Sequence, residues 1–428
     1  MELFPGCYRE KLDGDIEIIG QEEPQSKSIS LGLWFKSGSR DETRGESGIT
    51  HLIEHLLFRG TENRSSHQIT SEVDRLGGHI NGSTGREFLL LSLRLLPESL
   101  SEGLDILTDL ALHPLFREED FELEKDVVLE EIRSSHDDHQ SESIRLLEEL
   151  VWGDSSGLSL PVRGLEDTID DLSRDEILSR FAYLQRPSEM MITAAGNLSM
   201  DDLVEVSTRL LDVPGKHISR EDGVKMESDG RETSNGTDLS HKHDWRDINQ
   251  LHCVIGTEGL AKKDKDRFPL EMLNVILGQG MSSRLFRKVR KERGLAYQIT
   301  SSTQYYSDTG LFFVYGAIAP NNLSRFLNLV LKEFERIKAE RVSEEELDLA
   351  KKKTKGNLVL GLENNRALMS RLGITSLHDN HFLSVEEVIE KIEHVSRDDI
   401  QKVARRILDE EEIKYSLLGP KIPDPPTL

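Results

Sequence analysis

The sequence is short of cysteine, of basic charge and of long apolar runs, and each shortage removes a class of protein. Two cysteines in 428 residues, Cys7 and Cys253, build no disulfide framework, which makes a reducing compartment the simpler setting. Lys and Arg number 54 against 78 Asp and Glu, a formal charge of −24. Binding nucleic acid through its phosphates needs a basic surface, so no nucleic-acid partner is expected. A surplus of negative charge reads as serving solubility, or as an acidic internal surface that attracts basic peptides, and composition does not place it. No stretch approaches the ~18 to 20 consecutive apolar residues of a membrane span. The N-terminal MELFPGCYREKLDG has no basic region ahead of an apolar run, the pattern of a secretory signal. Together these absences point to a cytoplasmic protein with no membrane partner.

What the chain does have is apolar content, 36%, enough for sizeable cores in roughly two to four domains. Residues 215–247, which include ESDGRETSNGTDLSHKH, are rich in Gly, Ser, Asp, Lys and His and show almost no apolar periodicity. They read as a linker or surface loop between a first half, 1–214, and a second, 248–428. The halves look related. EDFELEKDVV from residue 119 and EELDLAKKKT from residue 345 fit at an offset of 226, a weak similarity best explained by duplication. Each half also runs in the same order. A β-rich segment (Ile29 to Lys36; Leu251 to Gly256) precedes a helix-like segment. A strand (Phe88 to Leu95; Gly310 to Ala317) and a long amphipathic helix (Leu100 to Leu112; Leu323 to Ala339) follow. This predicts an α+β fold of two homologous halves, each an antiparallel sheet packed with helices.

The chemistry concentrates in GITHLIEHLLFRG, residues 48–60. Ile49, Leu52, Ile53, Leu56 and Leu57 recur at helical spacing and occupy one arc of a helix. His51, Glu54 and His55 occupy the opposite arc. Residues four apart share a face, so both imidazoles can reach one ion. H-x-x-E-H inverts the commoner H-E-x-x-H zinc motif, and the glutamate between the ligands is free to address a water. A catalytic zinc needs three protein ligands and an open position. FELEKDVVLEEI, residues 121–132, supplies a candidate. Phe121, Val128 and Ile132 form an apolar stripe, while Glu124 and Glu131 share a face two turns apart. Glu131 is a candidate ligand with Glu124 behind it; by itself the segment also reads as an ordinary acidic amphipathic helix. His136 and His139 read either as a polar loop or as a second metal site, and His67, His79 and His113 as isolated structural or surface residues.

GITHLIEHLLFRGT, LGGHINGSTGREF and LEKDVVLEEI resemble the pitrilysin family of zinc metallopeptidases, which includes insulin-degrading enzyme and the mitochondrial processing peptidase. Glu131 lies 76 residues after His55, the family spacing between second histidine and third ligand, and this puts Glu131 ahead of Glu130. The resemblance implies Zn2+ on His51, His55 and Glu131, with Glu54 as general base and Glu124 as a partner behind the ligands. LSLPVRGLEDTIDDLSRDEI and AAGNLSMDDL are similar to later family segments. GMSSRLFRKVRKERGLAY resembles the segment carrying the family's arginine–tyrosine pair, which falls on Arg290 and Tyr297. Gly294 is expected to cap the helix bearing Arg290, with Tyr297 opening the next strand. Both side chains are donors suited to a developing oxyanion.

The offset of 226 sets Leu277, Gly280 and Met281 opposite His51, Glu54 and His55, and Asn357 opposite Glu131. A second half without ligands, and one zinc per chain, are therefore expected. Asn81 matches a family position on a strand thought to pair with substrate. Gly82 departs from the small residue, commonly alanine, that follows, and is expected to loosen that strand. The short chain resembles the branch that dimerises around a chamber. The implied function is endopeptidase action on peptides or unfolded segments. A non-catalytic scaffold, or one subunit of a hetero-oligomeric processing peptidase, is the alternative. Subunits of such hetero-oligomers usually carry either the metal motif or the Arg–Tyr pair. This chain carries both, which implies a homodimer.

Overall fold

The computed structural model describes residues 1–12, 15–211, 240–422 and 425–426. They fall into two compact units, each built on one sheet. The first sheet contains β1 (Glu2–Phe4), β2 (Cys7–Lys11), β3 (Glu17–Glu22), β4 (Ile29–Phe35), β5 (His79–Thr84), β6 (Leu89–Leu95) and β7 (Met190–Gly196). Their order is β1-β2-β3-β7-β4-β6-β5. The second contains β8 (His241–Trp245), β9 (Leu251–Glu258), β10 (Ala296–Tyr305), β11 (Gly310–Ile318) and β12 (Lys414–Gly419), in the order β10-β11-β9-β12-β8. Pairing is antiparallel except for one parallel pair in each sheet, β3 with β7 and β12 with β8.

The earlier helices are α1 (Ile49–Leu57), α2 (Ser66–Arg75), α3 (Leu100–Leu112), α4 (Glu118–Ser135), α5 (His139–Trp152), α6 (Glu166–Asp171), α7 (Arg174–Leu184) and α8 (Met200–Leu211). The later ones are α9 (Arg267–Leu277), α10 (Leu323–Ala339), α11 (Glu344–Gly361), α12 (Asn365–His378), α13 (Val385–His394) and α14 (Arg397–Ile407).

Strand β4, ISLGLWF, is buried at every position, as expected when both faces of a sheet are covered. Alternate residues sort into two cores. Ile18, Leu33, Leu91 and Ile192 join Leu52, Ile53 and Leu56 of α1 and Leu107 of α3. Their neighbours Ile19, Trp34, Leu90 and Met191 join Leu368, Met369 and Leu372 of α12. The second sheet repeats the scheme. Cys253, Ile255, Phe312 and Val314 pack with α9, α10 and α14, while Val254, Phe313 and Tyr315 pack with Leu147 of α5.

The compact units therefore differ from the two stretches of sequence. Unit 1 includes residues 361–384 with α12, and unit 2 includes 136–155 with α5. The cause is the doubly apolar sheet: helices local in sequence cover one face, and a helix from elsewhere in the chain covers the other. The linker expected at 215–247 also needs correction. Residues 215–239 lie outside the described residues, but 241–245 form β8, paired with β12.

The offset of 226 holds for α4 and α11, whose bounds differ by that number at both ends, and it keeps Asn357 opposite Glu131. It fails for the preceding comparison. The helix that follows the first central strand is α1 in one unit and α9 in the other. Helix α9 ends at Leu277, so Gly280 and Met281 lie beyond it. The connection from β9 to α9 is shorter than that from β4 to α1, and a fixed offset slides past the helix. Helix α9, RFPLEMLNVIL, contains no histidine.

Candidate metal centre

Helix α1 begins under tight control. The carboxylate of Glu42, itself buried, accepts the backbone N–H of Gly48 at 2.7 Å and of Thr50 at 2.9 Å. These are among the N–H groups that a helix start leaves unpaired. Burial, only partly opposed by those hydrogen bonds, pushes the Glu42 carboxyl up to about 7. Ile49, Leu52, Ile53, Leu56 and Leu57 are buried in the core, and His51, Glu54 and His55 are half-buried on the opposite arc. Helix α4 packs against α1. Phe121, Val128 and Ile132 face inward, and Glu124 is only 3% exposed.

This packing brings the metal candidates together. One nitrogen from each of His51 and His55 and one oxygen of Glu131 all lie within 4.8 Å of one another. His51 Nε2 is 3.2 Å from Glu131 Oε2, and His55 Nε2 is 3.8 Å from Glu131 Oε1. Two donors bound at ~2.0–2.2 Å to a tetrahedral zinc stand roughly 3.3–3.6 Å apart, so the observed spacings bracket what the ion requires. The donor set, two imidazoles and a carboxylate, is one that zinc uses in catalytic sites.

Behind the candidate ligands, Glu124 Oε2 lies 2.8 Å from His55 Nδ1, and its other oxygen accepts from Arg59. A carboxylate on the far nitrogen of a ligand histidine fixes the ring and its tautomer. Burial acts to raise the Glu124 carboxyl, but the His55 hydrogen bond and the Arg59 charge outweigh it and hold it below its ordinary value. For His55, burial acts to lower the imidazole, yet Glu124 and the other carboxylates win and raise it.

Glu54 stands beside the cluster, its Oε2 3.7 Å from His51 Nδ1 and hydrogen-bonded by the Thr84 hydroxyl. Burial would raise its carboxyl, but hydrogen bonds from His51 and Thr84 leave it lowered, so it is ionised and able to accept a proton. Thr84 and Gly82 alternate on β5, which is an edge strand among the described residues. A Cβ on Gly82 would lie 2.6 Å from Glu54 Oε1 and 2.7 Å from its Cγ. Gly82 therefore does more than loosen a strand, since its missing side chain is the room in which Glu54 sits. Asn81 is exposed on the same strand, and its amide donates to the Gly82 carbonyl.

Arg290 and Tyr297 belong to unit 2. Arg290 lies in a π-helical turn, Phe286–Lys291. Gly294 takes φ 59°, and its N–H bonds the Arg290 carbonyl at 3.0 Å, closing the turn as the sequence suggested. Tyr297 is the second residue of β10 and 75% exposed. The guanidinium carbon of Arg290 sits 5.7 Å from the Tyr297 ring centre and 4.9 Å from that of Phe286.

The remaining histidines take other places. His139 opens α5, its ring 5.4 Å from that of His252, and the His136 carbonyl accepts from Arg246. His67 and His79 are exposed, and His113 Nδ1 is 3.4 Å from Asp109. Among the described residues, His51, His55 and Glu131 form the single three-ligand group. Sequence reasoning missed Arg59 and Thr84. Arg59 stands four after His55, and Thr84 two after Gly82, so helical and strand periods respectively were the available signals.

The insulinase domain of peptidase family M16 matches residues 17–160, and the peptidase M16 inactive domain matches residues 171–354. An uncharacterized zinc protease of Streptomyces coelicolor is 34% identical over 420 residues, covering 96% of this chain and 89% of its own. The chain belongs to peptidase family M16. Another M16-like relative, the uncharacterized zinc protease YmxG of Bacillus subtilis, is 30% identical over 405 residues, covering 95% of this chain and 96% of its own. The M16 fold is also seen in a Helicobacter pylori protease, with TM-score 0.87, 20% identity and coverage of 97% of this chain and 99% of that one. A chain of complex III2 from Candida albicans gives TM-score 0.80 at 20% identity, with 97% and 96% covered. Among the described residues of this M16 chain, no helix is long and apolar enough to cross a membrane.

Proposed function

We propose that the chain is a zinc-dependent endopeptidase that hydrolyses peptides or unfolded polypeptide segments. The observation that carries this reading is the convergence of His51, His55 and Glu131 within 4.8 Å, with ionised Glu54 at their side. Zinc held by His51, His55 and Glu131 would activate a water by lowering its pKa to ~7 and would polarise a substrate carbonyl. Glu54 takes the proton of the attacking water and returns it to the leaving amine. Glu124, through His55 Nδ1, keeps that imidazole aimed at the metal. The edge of β5 offers backbone groups to an extended substrate, which would add as a further strand, with Asn81 at its exposed face. Arg290 and Tyr297 donate to the oxyanion. The active form in this reading is a homodimer enclosing a chamber, which admits extended chains and excludes folded ones. A complete ligand set with Glu124 behind His55, and with Thr84 on Glu54, supports the peptidase reading over a scaffold role.

The test is metal analysis with a peptide library. Purified protein should hold about one zinc per chain and cut unstructured peptides internally. Chelation should stop cleavage, and zinc should restore it. A stoichiometry near zero after zinc loading, or cleavage that survives zinc removal, overturns the assignment.

A further inference from the structure

We propose that Arg163 gives this site a preference for substrates with an acidic side chain next to the scissile bond. The proposal rests on the peptidase reading above. Arg163 is 54% exposed, and its Nε stands 3.8 Å from Oε2 of Glu131, which is 41% exposed. It is thus a solvent-accessible cation beside the carboxylate of the third candidate ligand.

Its mount is rigid. The turn Pro161–Gly164 is closed by the Gly164 N–H on the Pro161 carbonyl at 3.0 Å. Arg86 donates to the carbonyls of Gly157 and Leu160 just before it. After it, Gly164 and Gly48 press together with φ 92° and 93°. A Cβ on Gly48 would lie 2.7 Å from the Arg163 carbonyl, and one on Gly164 2.5 Å from the Ser47 carbonyl. The Arg163 backbone is therefore seated on the first turn of the helix that carries His51. A backbone held this way fixes where the Arg163 side chain starts before substrate arrives, which reduces part of the ordering cost of binding.

The pair with Glu131 does not occupy Arg163. It is solvent-exposed and at the outer limit of an ion pair, a geometry that contributes little. Once Glu131 shares its charge with a divalent cation, the attraction falls further. Arg163 then keeps N–H donors in a planar fork that matches a carboxylate. Its reach is local, because charges are screened over about 8 Å at physiological salt. The overall charge of −24 disfavours acidic peptides at long range but does not govern a contact inside that distance. The selected group is accordingly a side chain at a residue flanking the cut, rather than acidity along the whole peptide.

The experiment uses full-length zinc-loaded protein and C-terminally amidated peptides. Each carries Asp, Glu, Asn or Gln at one residue on either side of a mapped cleavage site. The parent should favour the acid over its amide at one flanking position by about fivefold to tenfold in kcat/KM, the scale of one charge-assisted contact. In Arg163→Gln the ratio should fall to about one, and Arg163→Lys should recover part of it. The same ratio should appear in peptide Kd measured by fluorescence anisotropy on zinc-loaded Glu54→Gln, and vanish in Glu54→Gln/Arg163→Gln. An acid preference that persists in Arg163→Gln, or cleavage with no such preference at any flanking position, overturns the Arg163 role while leaving the peptidase reading intact. So does an Arg163→Gln protein that loses zinc, because Arg163 would then serve Glu131 instead of substrate. No cleavage of any peptide by the zinc-loaded parent overturns the peptidase reading, and the Arg163 role with it.

Discussion

Glu54 and Gly82 occupy one small volume between them, and the chemistry depends on how they share it. The carboxylate of Glu54 is fixed by Thr84 on one side and faces His51 on the other, so its position is set by a strand residue as much as by its own helix. Two substitutions separate charge from space. Glu54→Gln keeps the shape and the Thr84 contact but cannot accept a proton at neutral pH. It should retain zinc in metal analysis and lose peptide cleavage by about 10²-fold or more. Gly82→Val leaves Glu54 charged but fills its space, since even a Cβ would come within 2.6 Å of it. A β-branched residue suits an edge strand, so thermal unfolding should shift by no more than a few degrees. Turnover of the same peptides should nonetheless fall by about 10²-fold, because the displaced carboxylate no longer meets the water. Normal turnover in Gly82→Val would mean that Glu54 works from another position.

Two features of the elements shape the site, the entry to α1 and the covering of the sheet. Glu42 spans the first N–H groups of α1, yet burial raises its carboxyl from an ordinary 4.5 to about 7. Between pH 4.5 and 7 the folded protein holds a proton there that the unfolded chain has released. The contribution of Glu42 to stability therefore falls as pH rises through that window. Between pH 4.5 and 7 the urea midpoint should shift more in favour of the higher pH in Glu42→Gln than in the parent; equal shifts in both proteins would count against it. The sequence made α1 and α4 legible because each pairs an apolar stripe with polar residues at fixed helical spacing. It made β4, β6, β9 and β11 legible because they are dense apolar runs. It hid the exchange of α5 and α12 between units, since their burial depends on partners far away in the chain. It also hid β8, whose residues HKHDW show no apolar alternation. The roles of Gly82 and Arg163 were out of reach for a similar reason, as both come from close approach between separate segments.

At the scale of the whole molecule, the metal group lies in unit 1 and the Arg290–Tyr297 pair in unit 2. In a homodimer the pair can serve the zinc of its own chain or that of its neighbour. Tyr297→Phe removes a donor without touching a ligand, so it should lower kcat by about 10²-fold with zinc content unchanged. Glu54→Gln is inactive for a separate reason. When equal amounts of the two variants are unfolded, mixed and refolded, about half the dimers are mixed. If the pair acts across the dimer, each mixed dimer contains one zinc site with an intact Glu54 that meets an intact Tyr297 from its neighbour. Peptide cleavage should then return to about a quarter of the parent rate, where either variant alone stays near background. Recovery no greater than the sum of the two variants would instead assign each pair to the zinc of its own chain.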